Sequence, residues 1–532
     1  MPARSKGGFQ GTDVQQGFEK RLASATANGN DLLYGGLKGV EKESLRVSAD
    51  GLLAQTPHPR GLGSALTNRY ITTDFSEALL EFVTPAFTTT WEALRCICDT
   101  HQFTYAHLDD EMLWTSSMPC RIPAEQSIPL ARYGDSNVGR MKTIYRRGLG
   151  YRYGREMQII AGVHFNYSLP SSFWPAYREI LGSELDPTAF RSEHYLGMIR
   201  NFRRMGWIIL YLFGSSPAVC KSFTGAAAQL PSLNPDTWFE PWATSLRMSD
   251  LGYSNNTQSR INISLNSHDE YVRDLALAIN TPEPAYEKIG VKAGGEYRQL
   301  NANLLQIENE YYSPVRPKRV ARSGEQPTAA LRRDGIEYVE VRSLDINMFD
   351  PSGINQNTMR FIEAFLIYCL LEDSPKVDAR EGDAIRHNHT QTAKRGRDPG
   401  FRLRRDGAEV TLQSWAYEIL DKVLAVAESI DREGDNYSAA IGHLRTLVDE
   451  PGNTLSARIV NELQRSGSSF FEFALQTARC HRDYFASIAP LGEEREALLA
   501  KEAEDSLLRQ QAIEAADDIS LDEYLQRYFE AY

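Results

Sequence analysis

Four short segments of this chain place acidic or polar side chains at every second position, and that alternation constrains the fold more than any other feature. In Gly39-Val-Glu-Lys-Glu-Ser-Leu-Arg46, Glu41 and Glu43 stand two apart, so on a strand both carboxylates point the same way. Glu77-Ala-Leu-Leu-Glu-Phe-Val-Thr84 sets Glu81 inside an apolar run, with Asp74 just before it in Ile-Thr-Thr-Asp-Phe75. Gly162-Val-His-Phe-Asn-Tyr-Ser168 presents His164, Asn166 and Ser168 together. In Glu337-Tyr-Val-Glu-Val-Arg-Ser343, Glu340 and Arg342 share a face while Val339 and Val341 take the other.

An antiparallel sheet with one wet face produces such alternation routinely, and for a single segment that explanation suffices. The residue types across the four change the reading. Carboxylates flanked by apolar stretches repel one another and are costly to desolvate unless cations neutralise them. Oxygen ligands with one imidazole suit a hard ion, Mg²⁺ or alternatively Mn²⁺, better than zinc. The segments therefore read as one face of a divalent-metal basin.

Composition narrows the setting. The 532 residues carry 58 basic and 70 acidic side chains, a net charge of −12, which argues against nucleic acid as the main partner. No apolar run approaches the length of a membrane span, and the N-terminus lacks the apolar core of a secretory signal, so a cytoplasmic location without membrane association is expected. Six cysteines are too few for a disulfide scaffold and are expected to be reduced thiols.

Residues 1–30 read as a polar lead-in with an amphipathic helix over Gln15–Ala25, and 31–532 as a single catalytic unit. Within it, 31–355 is the sheet-rich core, interrupted by helices such as Trp91–Met112, and 356–532 is a mainly helical buttress. There, Ser414 is expected to cap a helix with the stripe Trp415, Ile419, Val423, Ala427 and Ile430. Asp383–Asp406 is the least regular stretch, holding His387 and His389 and a run of arginines. It reads as a solvated basic loop in preference to a phosphate-facing loop or a metal pair on a strand.

No Gly-x-x-x-x-Gly-Lys-Ser/Thr is present, which excludes a P-loop. Phosphates would instead meet metals together with Arg316, Lys318, Arg319 and Arg342, since cations stabilise the charge spread over a transferring phosphoryl group. The runs quoted above, with Thr-Ser-Leu-Arg-Met-Ser-Asp-Leu-Gly-Tyr253, Tyr133-Gly-Asp-Ser-Asn137 and Leu305-Gln-Ile-Glu-Asn-Glu-Tyr-Tyr312, resemble the bacterial glutamate–cysteine ligases (γ-glutamylcysteine synthetases). The likeness runs in order from about Gly39 to Pro351, and thins through Asp373–Leu412.

That resemblance implies an α+β fold like glutamine synthetase, a curved antiparallel sheet forming an active-site funnel with helices outside it and in the C-terminal part. It implies Glu41, Glu43, Asp74, Glu81, His164 and Glu340 as metal ligands, and Glu340 and Arg342 as catalytic groups, Arg342 lying near the transferring phosphoryl group. Arg247 and Gln158 would hold the substrate glutamate, and Phe75, Tyr145, Arg146, Tyr253 and Tyr312 the cysteine. The implied reaction is ATP-dependent ligation of the glutamate γ-carboxylate to the cysteine amine through γ-glutamyl phosphate, the first step of glutathione biosynthesis, with feedback inhibition by glutathione. A related ligase joining glutamate to a different amine is the nearest alternative. An inactive metal- or nucleic-acid-binding protein is a third reading, and it leaves the buried carboxylates unexplained.

Overall fold

The structure, a computed structural model, describes residues 12–27, 31–119, 121–122, 124–223, 229–252, 261–322 and 325–530. Seven strands form its main sheet: β1 (Leu37–Val47), β2 (Ile71–Thr73), β3 (Leu79–Val83), β4 (Met112–Leu113), β5 (Val163–Ser168), β6 (Val315–Lys318) and β7 (Tyr338–Leu344). Their order is β6-β7-β5-β1-β3-β2, with β4 also paired to β1, and every pairing is antiparallel.

Register decides what the alternation is for. Glu41 lies opposite His164, Glu43 opposite Glu81, and Glu340 between Asn166 and Arg316. Opposed residues share a face, so the polar positions of four strands gather on one side. Val40, Leu80, Phe82, Phe165, Val339 and Val341 fill the other and are fully buried.

That apolar side packs on the helix Gln356–Leu371, buried all round from Thr358 onward, as befits a helix with no polar face. Asn355 caps it by accepting the N–H of Thr358. Around it lie the helices Pro187–Met205, Leu412–Ile430 and Tyr437–Asp449. A buried ion pair joins sheet to helix: Lys38 Nζ on β1 is 2.7 Å from Glu363 Oε2, which also accepts the Tyr437 hydroxyl.

Three local expectations are corrected. The helix after Thr89 ends at Tyr105, not Met112, because the chain turns through Asp109 in the left-handed region and Met112 then pairs with β1. The cap of Leu412–Ile430 is Thr411, whose hydroxyl accepts the N–H of Ser414. The stretch 383–406 is not a loop. It is helical through Arg395, with Ile385, Asn388, Thr392 and Ala393 buried, and then enters a hairpin of Arg402–Arg405 against Ala408–Thr411. On that helix His389 bonds the Arg203 carbonyl, and two residues apart the histidines point in widely different directions. Cys96, Cys98, Cys220, Cys369 and Cys480 are free thiols. Among the described residues no helix is long and apolar enough to cross a membrane.

Candidate metal and substrate site

Glu41, His164 and Glu340 come from three adjacent strands and offer ligand atoms all within 4.8 Å of one another. His164 Nδ1 stands 3.1 Å from Glu41 Oε2 and 3.7 Å from Glu340 Oε1. Asn166 donates to the other oxygen of Glu41 at 2.9 Å. Burial would raise the carboxyls of Glu41 and Glu340, but their neighbours outweigh it. The His164 hydrogen bond holds Glu41 below its usual value, and Lys318, Arg342, His164 and Arg316 hold Glu340 well below. Burial, followed by Arg342, lowers His164 and so favours the neutral imidazole, the form that ligates a metal.

The second group behaves oppositely. Burial and then Asp74 push Glu43 up to about 8, against the pull of Arg247 and Arg342. Burial, followed by the charges of Glu41, Asp74 and Glu43, raises Glu81 well above the carboxylate range. Such a concentration of carboxylates is stable in ionised form only with added positive charge. Glu340 Oε2 is buried and accepts no hydrogen bond among the described residues, and the donors are oxygens plus one imidazole. The set fits a hard divalent ion at Glu41, His164 and Glu340, with Glu43, Glu81 and Asp74 alongside.

The cations bracket this basin. Arg342 Nη1 is 3.1 Å from Glu340 Oε1, and Lys318 Nζ is 3.6 Å from Oε2. Arg316 is buried on β6 opposite Glu340. Arg319 turns away, donating to the Gly335 carbonyl and lying within 4 Å of Asp334 and Glu337. The reason is the strand period: 316 and 318 share a face and 319 takes the other.

Arg247 lies in the short turn Leu246–Met248, capped by Ser245. Its Nη2 donates to the carbonyl of Arg342 at 2.9 Å. A side chain on Gly162 would place Cβ 2.1 Å from that nitrogen, so the guanidinium is seated where only glycine leaves room. The Gly162 N–H meanwhile donates to Glu43 at 2.6 Å. Gln158 ends a short helix just before β5, half-buried.

Of the aromatic candidates, Phe75 is buried, and Tyr145 and Arg146 are consecutive on the helix Asn137–Tyr153. Arg146 bonds the Asp74 carbonyl through Nε, places Nη2 3.7 Å from its carboxylate, and stacks on Tyr133. Tyr312 donates to Met248 Sδ at 3.1 Å, the sulfur that Arg247 also contacts at 3.2 Å. Tyr253 lies outside the described residues. Two residues given no role by sequence reasoning belong to this assembly: Asn166, whose position on the polar face was visible, and Asp345, whose position was not.

A family model described as glutamate–cysteine ligase matches residues 22–392. A glutamate–cysteine ligase of Alcanivorax borkumensis is 49% identical over 524 residues, 96% of this chain and 99% of that one. One from Pseudomonas aeruginosa is 47% identical over 515 residues, 96% and 97% of the two chains. Among solved structures, the glutamate–cysteine ligase of Francisella tularensis, crystallised in complex with AMP, matches with a TM-score of 0.88 at 36% identity, covering 94% of this chain and 98% of that one. A bifunctional glutathione synthetase from Pasteurella multocida shares the fold, with a TM-score of 0.67 at 24% identity over 91% of this chain and 57% of the other.

Proposed function

The chain belongs to the glutamate–cysteine ligase family, and on that premise we propose that the polar face of the sheet activates the glutamate γ-carboxylate with ATP and passes it to the cysteine amine. The enzyme is a ligase of the first step of glutathione synthesis. A free carboxylate is a poor acyl donor because its leaving group would be oxide. Transfer of the ATP γ-phosphoryl group makes γ-glutamyl phosphate, from which phosphate leaves readily when the amine attacks.

The groups gathered on this face divide the work of that scheme. Arg247 takes the glutamate α-carboxylate, for which a guanidinium fork offers two parallel donors, and Gln158 lines the same pocket. Arg342, with Arg316 and Lys318, meets the phosphoryl oxygens and stabilises the charge they spread in transfer. Arg319, turned away, is left out of that set. Glu41, His164 and Glu340, with Glu43, Glu81 and Asp74, would hold Mg²⁺, which when bound supplies the positive charge that lets phosphate and carboxylate approach. Phe75, Tyr145 and Tyr312 wall the cysteine, and Arg146 takes its carboxylate. Feedback inhibition by glutathione fits the same site, because its γ-glutamyl end carries the α-carboxylate that Arg247 would bind.

One observation carries this reading. Strand β7 contributes Glu340 to the ligand set, Arg342 beside it, and through the Arg342 carbonyl a bond to Arg247, so a single strand ties the activating end of the site to the carboxylate-binding end. The test is isotopic. Glutamate carrying heavy oxygen in its γ-carboxylate is expected to deliver one labelled oxygen to inorganic phosphate per bond formed. Unlabelled phosphate from a turning-over enzyme rules the acyl phosphate out.

A further inference from the structure

Asp345 follows β7 directly, is buried, and is built into its place by groups distant in sequence. Its Oδ2 accepts the Ser215 N–H at 2.8 Å and the Ser216 hydroxyl at 2.6 Å. Its Oδ1 accepts the Ser245 hydroxyl at 2.9 Å and lies 3.6 Å from Arg247 Nη1. Arg247 is the only cation within 4 Å of it among the described residues. An ionised carboxylate is costly to bury, and truncating its partner leaves a charge uncompensated. Asparagine would still accept from Ser215 and Ser216, but its amide nitrogen would replace the acceptor Oδ1 that faces Ser245 and Arg247. The negative charge is matched by Arg247.

The contact is reinforced through the backbone. Ser216 Oγ, which donates to Asp345, also accepts the N–H of Arg247 at 3.4 Å. Ser245 Oγ, the other donor, accepts the N–H of Met248 at 3.3 Å. Asp345 thus reaches Arg247 at its guanidinium and, through the two serines, at the backbone N–H groups of Arg247 and Met248. The guanidinium is also held by the Arg342 carbonyl and Met248 Sδ, in the space that Gly162 leaves.

We infer that Asp345 is the positioning residue that holds Arg247 at a set distance from Arg342, so that the pocket admits glutamate and disfavours a dicarboxylic amino acid one methylene shorter. This rests on Arg247 being the glutamate-binding group, as proposed above. Arg247 and Arg342 mark the two ends of the substrate, and Asp345 closes the brace between them.

Steady-state kinetics on the full chain test it, with Asp345→Asn, Arg247→Lys and the double variant. Asp345→Asn keeps the volume and an acceptor for Ser215 and Ser216, and replaces the charged acceptor that faces Ser245 and Arg247 with a neutral amide N–H₂. It is expected to raise the glutamate KM about tenfold, the scale of one charge-assisted hydrogen bond. KM for ATP and cysteine should stay within about twofold, the preference for glutamate over aspartate should narrow, and the melting temperature should stay near that of the parent. The double variant should lose little beyond Arg247→Lys, because coupled residues are not additive. An Arg247→Lys enzyme with unchanged glutamate KM overturns the reading of Arg247. If Arg247→Lys raises that KM and Asp345→Asn does not, the reading stands and the role of Asp345 falls. A parallel rise of all three KM values with a lowered melting temperature marks Asp345 as merely structural and also overturns it. Should Asp345→Asn not fold, Ser245→Ala removes one donor to Oδ1 and is expected to raise glutamate KM in the same sense. An unchanged glutamate KM there defeats the inference.

Discussion

Glu43 lies directly opposite Glu81 in the β1–β3 register, two carboxylates facing each other on the same side of the sheet. Like charges directly opposed across strands are destabilising, and burial, followed by Asp74 at Glu43 and by Glu41, Asp74 and Glu43 at Glu81, holds both protons above the ordinary range. A sheet built only for stability has no use for that pair. One that receives a cation there does.

Glu81→Gln is therefore expected to leave the metal-free protein as stable as the parent or more so. It should also abolish most of the rise in melting temperature that Mg²⁺ gives the parent, since a ligand stabilises only the state that binds it. Turnover should fall about a hundredfold, the order seen on losing one preorganised electrostatic contact. Scanning fluorimetry with and without Mg²⁺, paired with kcat, checks both, and a variant with parental kcat at ordinary Mg²⁺ removes Glu81 from the ligand set.

The same pair makes a pH prediction with a definite sign. Glu43 keeps its proton in the folded state up to about pH 8, whereas an unperturbed carboxyl loses it near 4.5. Between those values the folded chain binds the extra proton, so the contribution of Glu43 is fully present below about 4.5 and is lost as pH rises towards 8. Metal-free Glu43→Gln lacks this term and should gain stability relative to the parent as pH rises across the window. Denaturant titrations at several pH values in a chelator measure the difference, and a flat difference from pH 5 to 8 contradicts the expectation.

Gly162→Ala isolates the seating of Arg247. The added methyl meets the far end of the arginine, 2.1 Å from Nη2, so the side chain must shift while the strand, with its ordinary backbone, need not. The expected result is a folded enzyme whose glutamate KM rises about tenfold or more and whose ATP KM moves far less. Parental glutamate affinity in this variant would show that Arg247 is not the group that binds the substrate.

The Lys38–Glu363 pair predicts stability and not chemistry. Both side chains are almost fully buried, at 1% and 2% exposure, and Glu363 also accepts the Tyr437 hydroxyl. Lys38→Met strands the carboxylate and should cost about 3–5 kcal/mol, with Lys38→Met/Glu363→Leu recovering a good part of it. Urea unfolding is the measurement. A single variant costing under roughly 1 kcal/mol would mean that water or a shifted neighbour already satisfies Glu363.

Which side chains share a face within each strand was legible in the sequence, because a period of two is a local property. Glu41 with Glu43, His164 with Asn166, and Glu340 with Arg342 needed only counting, and their chemistry was enough to point to a hard metal. The same period separates Arg319 from Arg316 and Lys318, although the four-residue run reads as one basic patch. The stretch 383–406 does not read as a helix because the buried positions of its helical part, 383–395, are mostly small or polar, with Ile385 the only large apolar one, so the stripe carries little hydrophobic signal.

What only the tertiary structure decided is which strands lie side by side and in what register. Nothing local tells Glu41 that His164 will stand opposite it, or Glu43 that Glu81 will, since pairing energies come from cross-strand contacts made after the chain has closed long loops. Asp345 marks the limit of sequence reading. Its partners Ser215, Ser216, Ser245 and Arg247 lie about a hundred residues or more away, and the charge that justifies its burial exists only once those segments have met.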